Sequence, residues 1–324
     1  MMMQQTSEIS QAPYLKRYYA PASTGNFSVG FDLLGAAFEP ISGELFGDVL
    51  DIVAEQAELE LELTGRYVHQ LPADSSDNLV LSCFYAFEQK VGRSLPRLAL
   101  RLHKNLPVGS GLGSSACSIV VACYAFNEYF GKPLSDNQLL QLMAQAEGGV
   151  SGSVHYDNVA PSFYGGLQLM LPDSAQLCRA LPWFAHWRVV LCYPGTVLST
   201  KAARAVLPKQ LSLTLSIAFA GMLSRFVSAL YSADETEAVA ALRDLVAEPA
   251  RLPLLPELPA LRAGLAEHGV LHLGISGAGP TLFALCHNDA QAQLAAEYLA
   301  RHYEKNQDAT TQICRLSATG ARAL

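Results

Sequence analysis

The sequence predicts an α+β protein in two domains. Strand-like and helix-like stretches mix along the chain without the strict alternation that builds a doubly wound parallel sheet. The 324 residues are about twice an ordinary domain length, which puts a boundary near 165–185. Apolar residues make up 50% and charged residues 16%, enough to bury a core without staples and too apolar for a disordered chain.

The elements follow in order. Residues 1–15 are mostly polar and read as a loose tail. A short strand at 16–20 leads into a turn-rich loop with Pro21, Gly25 and Asn26. Alternation over 48–63 reads as a strand or hairpin, and 79–91 as a helix. Leu98, Leu100 and Leu102 alternate with Arg101 and His103, the pattern of a half-buried strand. A glycine-rich loop at 107–113 opens an apolar helix over 114–130, which Gly131 and Pro133 stop. Ser135 with Gln138 forms a capping-box signature for a helix over 136–147. A loop rich in Gly, Ser and Asn covers 148–166. Then come a buried strand at 189–193, a helix at 199–206 ended by Pro208, and helices at 211–231 and 235–247. Strands at 271–275 and 281–287 flank a third glycine loop, before a helix at 290–303 and a last strand at 312–316.

Composition narrows the partners. Lys plus Arg is 22 and Asp plus Glu is 29, a net charge of −7. No basic cluster offsets this, so nucleic acid is excluded as a partner. The 7 cysteines form no CxxC pair and an odd count cannot all pair, which reads as reduced core thiols in a cytoplasmic protein. The first 13 residues carry no basic and apolar regions of a signal peptide. The stretch 211–231 has one charge, Arg225, but Gly221, Ser224, Arg225, Ser228 and Ser232 share a helical face. It reads as an amphipathic helix, and no membrane partner is expected.

The sharpest local feature is Pro107-Val108-Gly109-Ser110-Gly111-Leu112-Gly113-Ser114-Ser115-Ala116, between a strand and a helix. Alternate glycines let the backbone fold tightly against a ligand. N–H groups at the helix start, with the positive end of its dipole, favour an anion there. The string lacks the GK[ST] of a Walker A loop and the spacing of GxGxxG. Taken alone, it is equally a turn that simply packs.

The longer string PVGSGLGSSA resembles the second motif of the GHMP small-molecule kinases, written PxxxGLGSSA. The stretch 20–35 resembles their first motif, with Thr24-Gly25 in place of the more usual Ser-Ala, and 274–281 resembles the third. NFSVGFDLLG, SGSVHYDNVAPSFYGG, STKAARAVLP and AEPARLPLLP resemble the homoserine kinase branch. The resemblance spans about 16–324. It implies an N-terminal ribosomal S5 domain 2-like unit over 16–170 and a C-terminal ferredoxin-like α/β sandwich over 171–324. It also implies ATP and Mg2+, L-homoserine as the phosphoryl acceptor, and a homodimer.

The same resemblance assigns residues. Phosphate contacts fall on 107–115. Ser115 and Glu147 take the Mg2+; Glu147, expected at the end of its helix, would otherwise be a solvated carboxylate facing the wrong end of the dipole. Arg204 and Arg251 match the arginines that hold the substrate carboxylate, and Asp32 the acid that holds its ammonium. Asn26 and His155 match further substrate positions. Asn158 matches an asparagine that stands where related kinases carry a catalytic aspartate; Asp157 beside it is the rival base or a turn residue. Thr200 matches a hydroxyl near the transferred phosphate, with helix N-cap as the plain alternative. Asn78 belongs to the adenine region.

Overall fold

The computed structural model describes residues 13–72 and 78–324; most of the expected tail, 1–12, lies outside them. Among the described residues the strands form two sheets. In the first, β1 (Lys16–Pro21) pairs with β4 (Gly47–Gln56), and β4 with β6 (Arg97–His103). β5 (Glu60–Thr64) lies beyond β6, and the short β13 (Arg322–Ala323) closes the other edge against β1.

The stretch 48–63, expected as a strand or hairpin, is two strands that do not pair with each other. β4 runs antiparallel to β6, and β5 runs parallel to β6 on its far side. Alternation reports which face a strand buries, not which strand it meets. β6 departs from its half-buried pattern as well, being buried throughout 98–102. Partners make this possible: Arg101 Nε donates to Glu62 Oε2 at 2.7 Å, and His103 Nε2 lies 2.9 Å from Asp51 Oδ2.

The second sheet runs β10 (His272–Ile275), β11 (Leu282–Cys286), β9 (Arg188–Tyr193), β12 (Thr310–Leu316), β3 (Leu34–Pro40), β7 (Leu167–Met170), β8 (Cys178–Leu181), with β2 (Ser23–Gly25) beside β3. β3 and β7 precede residue 170, and β8 to β12 follow it, so the two expected halves exchange strands. β2, β7 and β8 are short, and nothing in their patterning or in that of β3 announced them.

Helices cover both sheets. α1 (Leu79–Val91) ends at Gly92, in the left-handed region with φ of 77°. α2 (Ser114–Tyr129) packs on β1 and β4. α3 (Asp136–Ser151) starts with the complete capping box of Ser135 and Gln138 but runs past its expected end. Gly148 and Gly149 continue the helix, and the left-handed stop is Gly152. The loop expected over 148–166 also holds α4 (Val159–Tyr164).

α5 (Thr200–Ala205) and α6 (Leu213–Ser232) match their expected stretches to within two residues. α6 is long and apolar enough, by length and composition, to cross a membrane, with a mean hydropathy of 1.6 and 17% of that window buried. Its Phe226, Ala229 and Leu230 are buried, while Arg225 Nε donates to Glu237 Oε1 at 2.6 Å.

The helix expected over 235–247 is two: α7 (Glu235–Ala241) and α8 (Ala247–Arg251). The Asp244 carboxylate breaks it by accepting the N–H groups of Val246 and Ala247 at 2.9 and 2.7 Å. α9 (Leu258–Glu267) packs on β10, and α10 (Asp289–Tyr303) on β9, β11 and β12. All seven cysteines are buried thiols.

Candidate active site

The three glycine motifs converge. Gly109, Gly111 and Gly113 have φ of 61°, 83° and 64°, so the loop before α2 is left-handed at each alternate residue. A Cβ on Gly111 would lie 2.4 Å from the Ser276 carbonyl oxygen, and one on Gly113 would lie 2.2 Å from Ser23 Oγ. The third motif thus abuts the second. Ser276 Oγ donates to the Gly111 carbonyl at 2.7 Å, and the Thr281 N–H to the Ser110 carbonyl at 3.0 Å.

The first motif is strained. Asn26, Phe27, Ser28 and Asp32 all have positive φ (67°, 39°, 57° and 56°). Such residues cost about 1–3 kcal/mol each and persist only where their surroundings fix them. Here Phe27 stacks on Phe283 with centroids 4.8 Å apart. Asn26 braces the turn, its Oδ1 accepting the Asp32 N–H at 2.9 Å and its Nδ2 donating to the Gly277 carbonyl at 3.0 Å.

Nine residues named from the sequence line one cavity: Asn26, Asp32, Glu147, His155, Asp157, Asn158, Thr200, Arg204 and Arg251. Arg204 and Asp32 bond each other, one guanidinium nitrogen lying 2.9 Å from both carboxylate oxygens. His155 Nδ1 is 3.6 Å from the same carboxylate, and burial pushes this imidazole below its ordinary pKa. Arg251 is buried, donating to the carbonyls of Gly277 at 2.8 Å and Ala203 at 3.3 Å; burial lowers its pKa.

Two carboxyls shift upward. Burial, reinforced by the Asp32 charge and opposed by Arg204, pushes Asp157 up to about 7. Burial also pushes Glu147 up to about 7, against a hydrogen bond from Ser115 Oγ at 2.8 Å and the Lys104 charge. Gly25, the departure noted in the first motif, sits where a Cβ would meet Asp157 Oδ2 at 2.2 Å and Asn158 Nδ2 at 2.6 Å. Asn158 Oδ1 accepts from Ser23 Oγ at 3.1 Å.

A second cavity continues from the first. Glu147, Asn158, Thr200 and Gly277 line both, and the three loop glycines with Ser110, Ser114 and Ser115 line the second. Ser199 caps α5, its side chain accepting the Ala202 N–H, so the cap does not need Thr200. A third cavity, mostly apolar, joins at Val108, Ser114, Ser115 and Val150, with Asn78 on its wall. Asn78 also caps α1, accepting the Val80 N–H at 2.9 Å. Pro107 and Leu112 are buried and line none of the three.

Sequence reasoning missed the support beneath the loop. Lys104 is 2% exposed and donates to Asp48, to the Ser114 carbonyl at 2.9 Å and to Ser118 Oγ at 2.9 Å. Lysine is seldom buried, and its partner lies 56 residues away, so no local signal marks it. Lys201, on the wall of the second cavity, was also missed.

The GHMP kinases N-terminal domain model matches residues 78–166, and the GHMP kinases C-terminal model matches 226–305. The chain belongs to the GHMP kinase family, whose members are ATP-dependent kinases. It is similar to the crystal structure of a homoserine kinase from Cytophaga hutchinsonii, at 28% identity over 95% of this chain and 97% of that one, with a TM-score of 0.85. A putative homoserine kinase from Listeria monocytogenes matches at 23% identity, 95% and 98% coverage and a TM-score of 0.72. An L. major mevalonate kinase solved with R-mevalonate shares the fold at 14% identity, 96% and 100% coverage and a TM-score of 0.69.

Proposed function

We propose that this kinase transfers the γ-phosphoryl group of ATP to the hydroxyl of L-homoserine, giving O-phospho-L-homoserine for threonine biosynthesis. One observation carries the reading. A row of three joined cavities runs from an ion-paired pocket, past a glycine trough, to an apolar cleft. These suit an amino-acid zwitterion, a triphosphate and a purine in turn. The Arg204–Asp32 pair supports the zwitterion: its substrate would exchange one ion pair for two, carboxylate to Arg204 and Arg251, ammonium to Asp32. Sugars and isoprenoid alcohols offer no such exchange.

Ser115 and Glu147 fit Mg2+. Both are hard oxygen donors, 2.8 Å apart at the junction of loop and trough. Bound there, the ion would neutralise charge on the phosphates. The start of α2, with Ser114 and Ser115 on the wall of the second cavity, would offer its N–H groups to the phosphates.

Asn158 lines both the first and second cavities, whereas Asp157 lines only the first. This favours Asn158 as the group that orients the hydroxyl. The homoserine oxygen bonds to the γ-phosphorus as the bond to the β,γ-bridging oxygen breaks and ADP departs. An amide cannot take the hydroxyl proton, which leaves late to a phosphate oxygen or to solvent; a loose transition state tolerates this.

The test is ADP release from MgATP with L-homoserine, L-serine, L-threonine, mevalonate and galactose. Turnover with L-homoserine alone supports the reading. Preference for another alcohol keeps the kinase and discards the substrate assignment.

A further inference from the structure

We propose that His186, Glu235 and His287 form a binding site for a divalent transition-metal ion of the Zn2+, Co2+ or Ni2+ class, separate from the kinase site. Their donor atoms all lie within 4.8 Å of one another. His186 Nε2 is 3.1 Å and His287 Nδ1 is 2.9 Å from the same oxygen, Glu235 Oε1. Ligands on a tetrahedral Zn2+ with bonds near 2.0–2.1 Å stand about 3.3 Å apart, so two of the three spacings already suit a shared ion. Two imidazoles with one carboxylate are a borderline donor set, which favours Zn2+ and its neighbours over Mg2+.

Three separate elements hold the ligands, so the arrangement does not rest on one mobile loop. Glu235 opens α7, His287 directly follows β11, and His186 precedes β9 by two residues. β9 and β11 are paired here, with Arg188 opposite Cys286, which brings both histidines to one end of the sheet. Arg188 Nη1 donates to the carbonyls of Ala185, His186 and Trp187 at 3.1, 3.2 and 3.0 Å, pinning the His186 backbone. Its charge is balanced by Asp289. Trp187 Nε1 donates to Glu235 Oε1 at 2.6 Å, the outer hydrogen bond that orients a ligating carboxylate. The rings stand 4.6 Å apart and are nearly half exposed, which leaves an ion access from solvent.

The chain has 2 tryptophans, Trp183 and Trp187, with centroids 5.1 Å apart, and Trp187 bonds the proposed ligand. Intrinsic fluorescence is therefore a local reporter. Metal-free protein is titrated with Co2+ in the presence of excess Mg2+. The expected result is saturable quenching at one Co2+ per chain, visible d–d absorption, and displacement of both by Zn2+. His186→Ala, Glu235→Gln and His287→Ala each weaken binding at least about tenfold. His287→Gln, which spares the fold if the alanine variant does not, does the same, and kinase turnover with MgATP stays unchanged. Binding that survives these variants, or no saturable binding, would overturn the proposal and leave a hydrogen-bonded cluster only.

Discussion

Asp51 in the first sheet and Asp157 in the first cavity are both enclosed carboxyls, yet they shift in opposite directions. Burial alone would raise Asp51, but hydrogen bonds and charge from Arg17 and His103 outweigh it and hold this carboxyl down to about 2. Arg17 reaches both oxygens, at 2.6 and 2.8 Å. Asp157 is desolvated too, more deeply, with Arg204 as its counter-charge and Asp32 and Glu147 against it, and it ends near 7. The difference separates carboxylates whose charge the protein compensates from carboxylates whose charge it leaves largely uncompensated. In the first set the protein supplies the compensation. In the second it is incomplete, and on the proposed reading it is left to what binds.

Four experiments would sharpen or break this division, in descending order of effect. Asp48 belongs with Asp51: it holds buried Lys104 and accepts the N–H groups of Asn105 and Leu106 at 2.9 and 3.2 Å. Asp48→Ala should cost about 3–5 kcal/mol, read by denaturant unfolding, because it strands a buried ammonium. Adding Lys104→Met should recover part of that. A small loss in the single variant would remove Asp48 from the structural set.

Asp157→Asn should stabilise the ligand-free protein. Its pKa in the folded chain, about 7, exceeds an unfolded value near 3.9, so the folded state keeps the proton between those limits. The carboxyl costs nothing below about pH 4; its cost grows as pH rises and is fully present above 7. The variant should therefore gain roughly 2–4 kcal/mol at pH 8 and nothing at pH 4. Equal Tm shifts at both pH values would contradict the assignment.

Glu147→Gln tests the same class by activity. It should lower kcat/KM at least about 100-fold, some 2.7 kcal/mol, without lowering Tm. A falling Tm with intact turnover would place Glu147 beside Asp51. Arg204→Leu should raise the KM for L-homoserine about 10- to 100-fold, as loss of a charged hydrogen bond predicts, with the KM for ATP little changed. An unchanged homoserine KM would make the Arg204–Asp32 pair purely architectural.

Legibility in the sequence followed the range of the signal. α1 falls on its expected residues because the periodicity and the Gly92 stop are local, and the capping box at Ser135 is complete for the same reason. α3 overran its expected end, since a glycine stops a helix only where the chain turns left-handed, which happened at Gly152. The pairing of β5 with β6, and the burial of Lys104 against Asp48, depend on partners tens of residues away. Nine of the residues that the motif strings named gather in one cavity. The strings did not convey that Arg204 and Asp32 bond each other, or that Gly25 makes room for Asp157.

The placement of β3 has a consequence for how the chain is made. This strand leaves the ribosome early with β2 beside it, yet its other two neighbours are β7 and β12, and β12 spans Thr310–Leu316. Until that late segment emerges, one edge of an apolar strand stays open, the condition under which nascent chains associate wrongly. Such non-local pairing also closes slowly. Vectorial synthesis therefore postpones completion of the second sheet almost to the last residues. A chain cut near 170 should then yield two fragments that are poorly soluble apart and regain native structure when mixed.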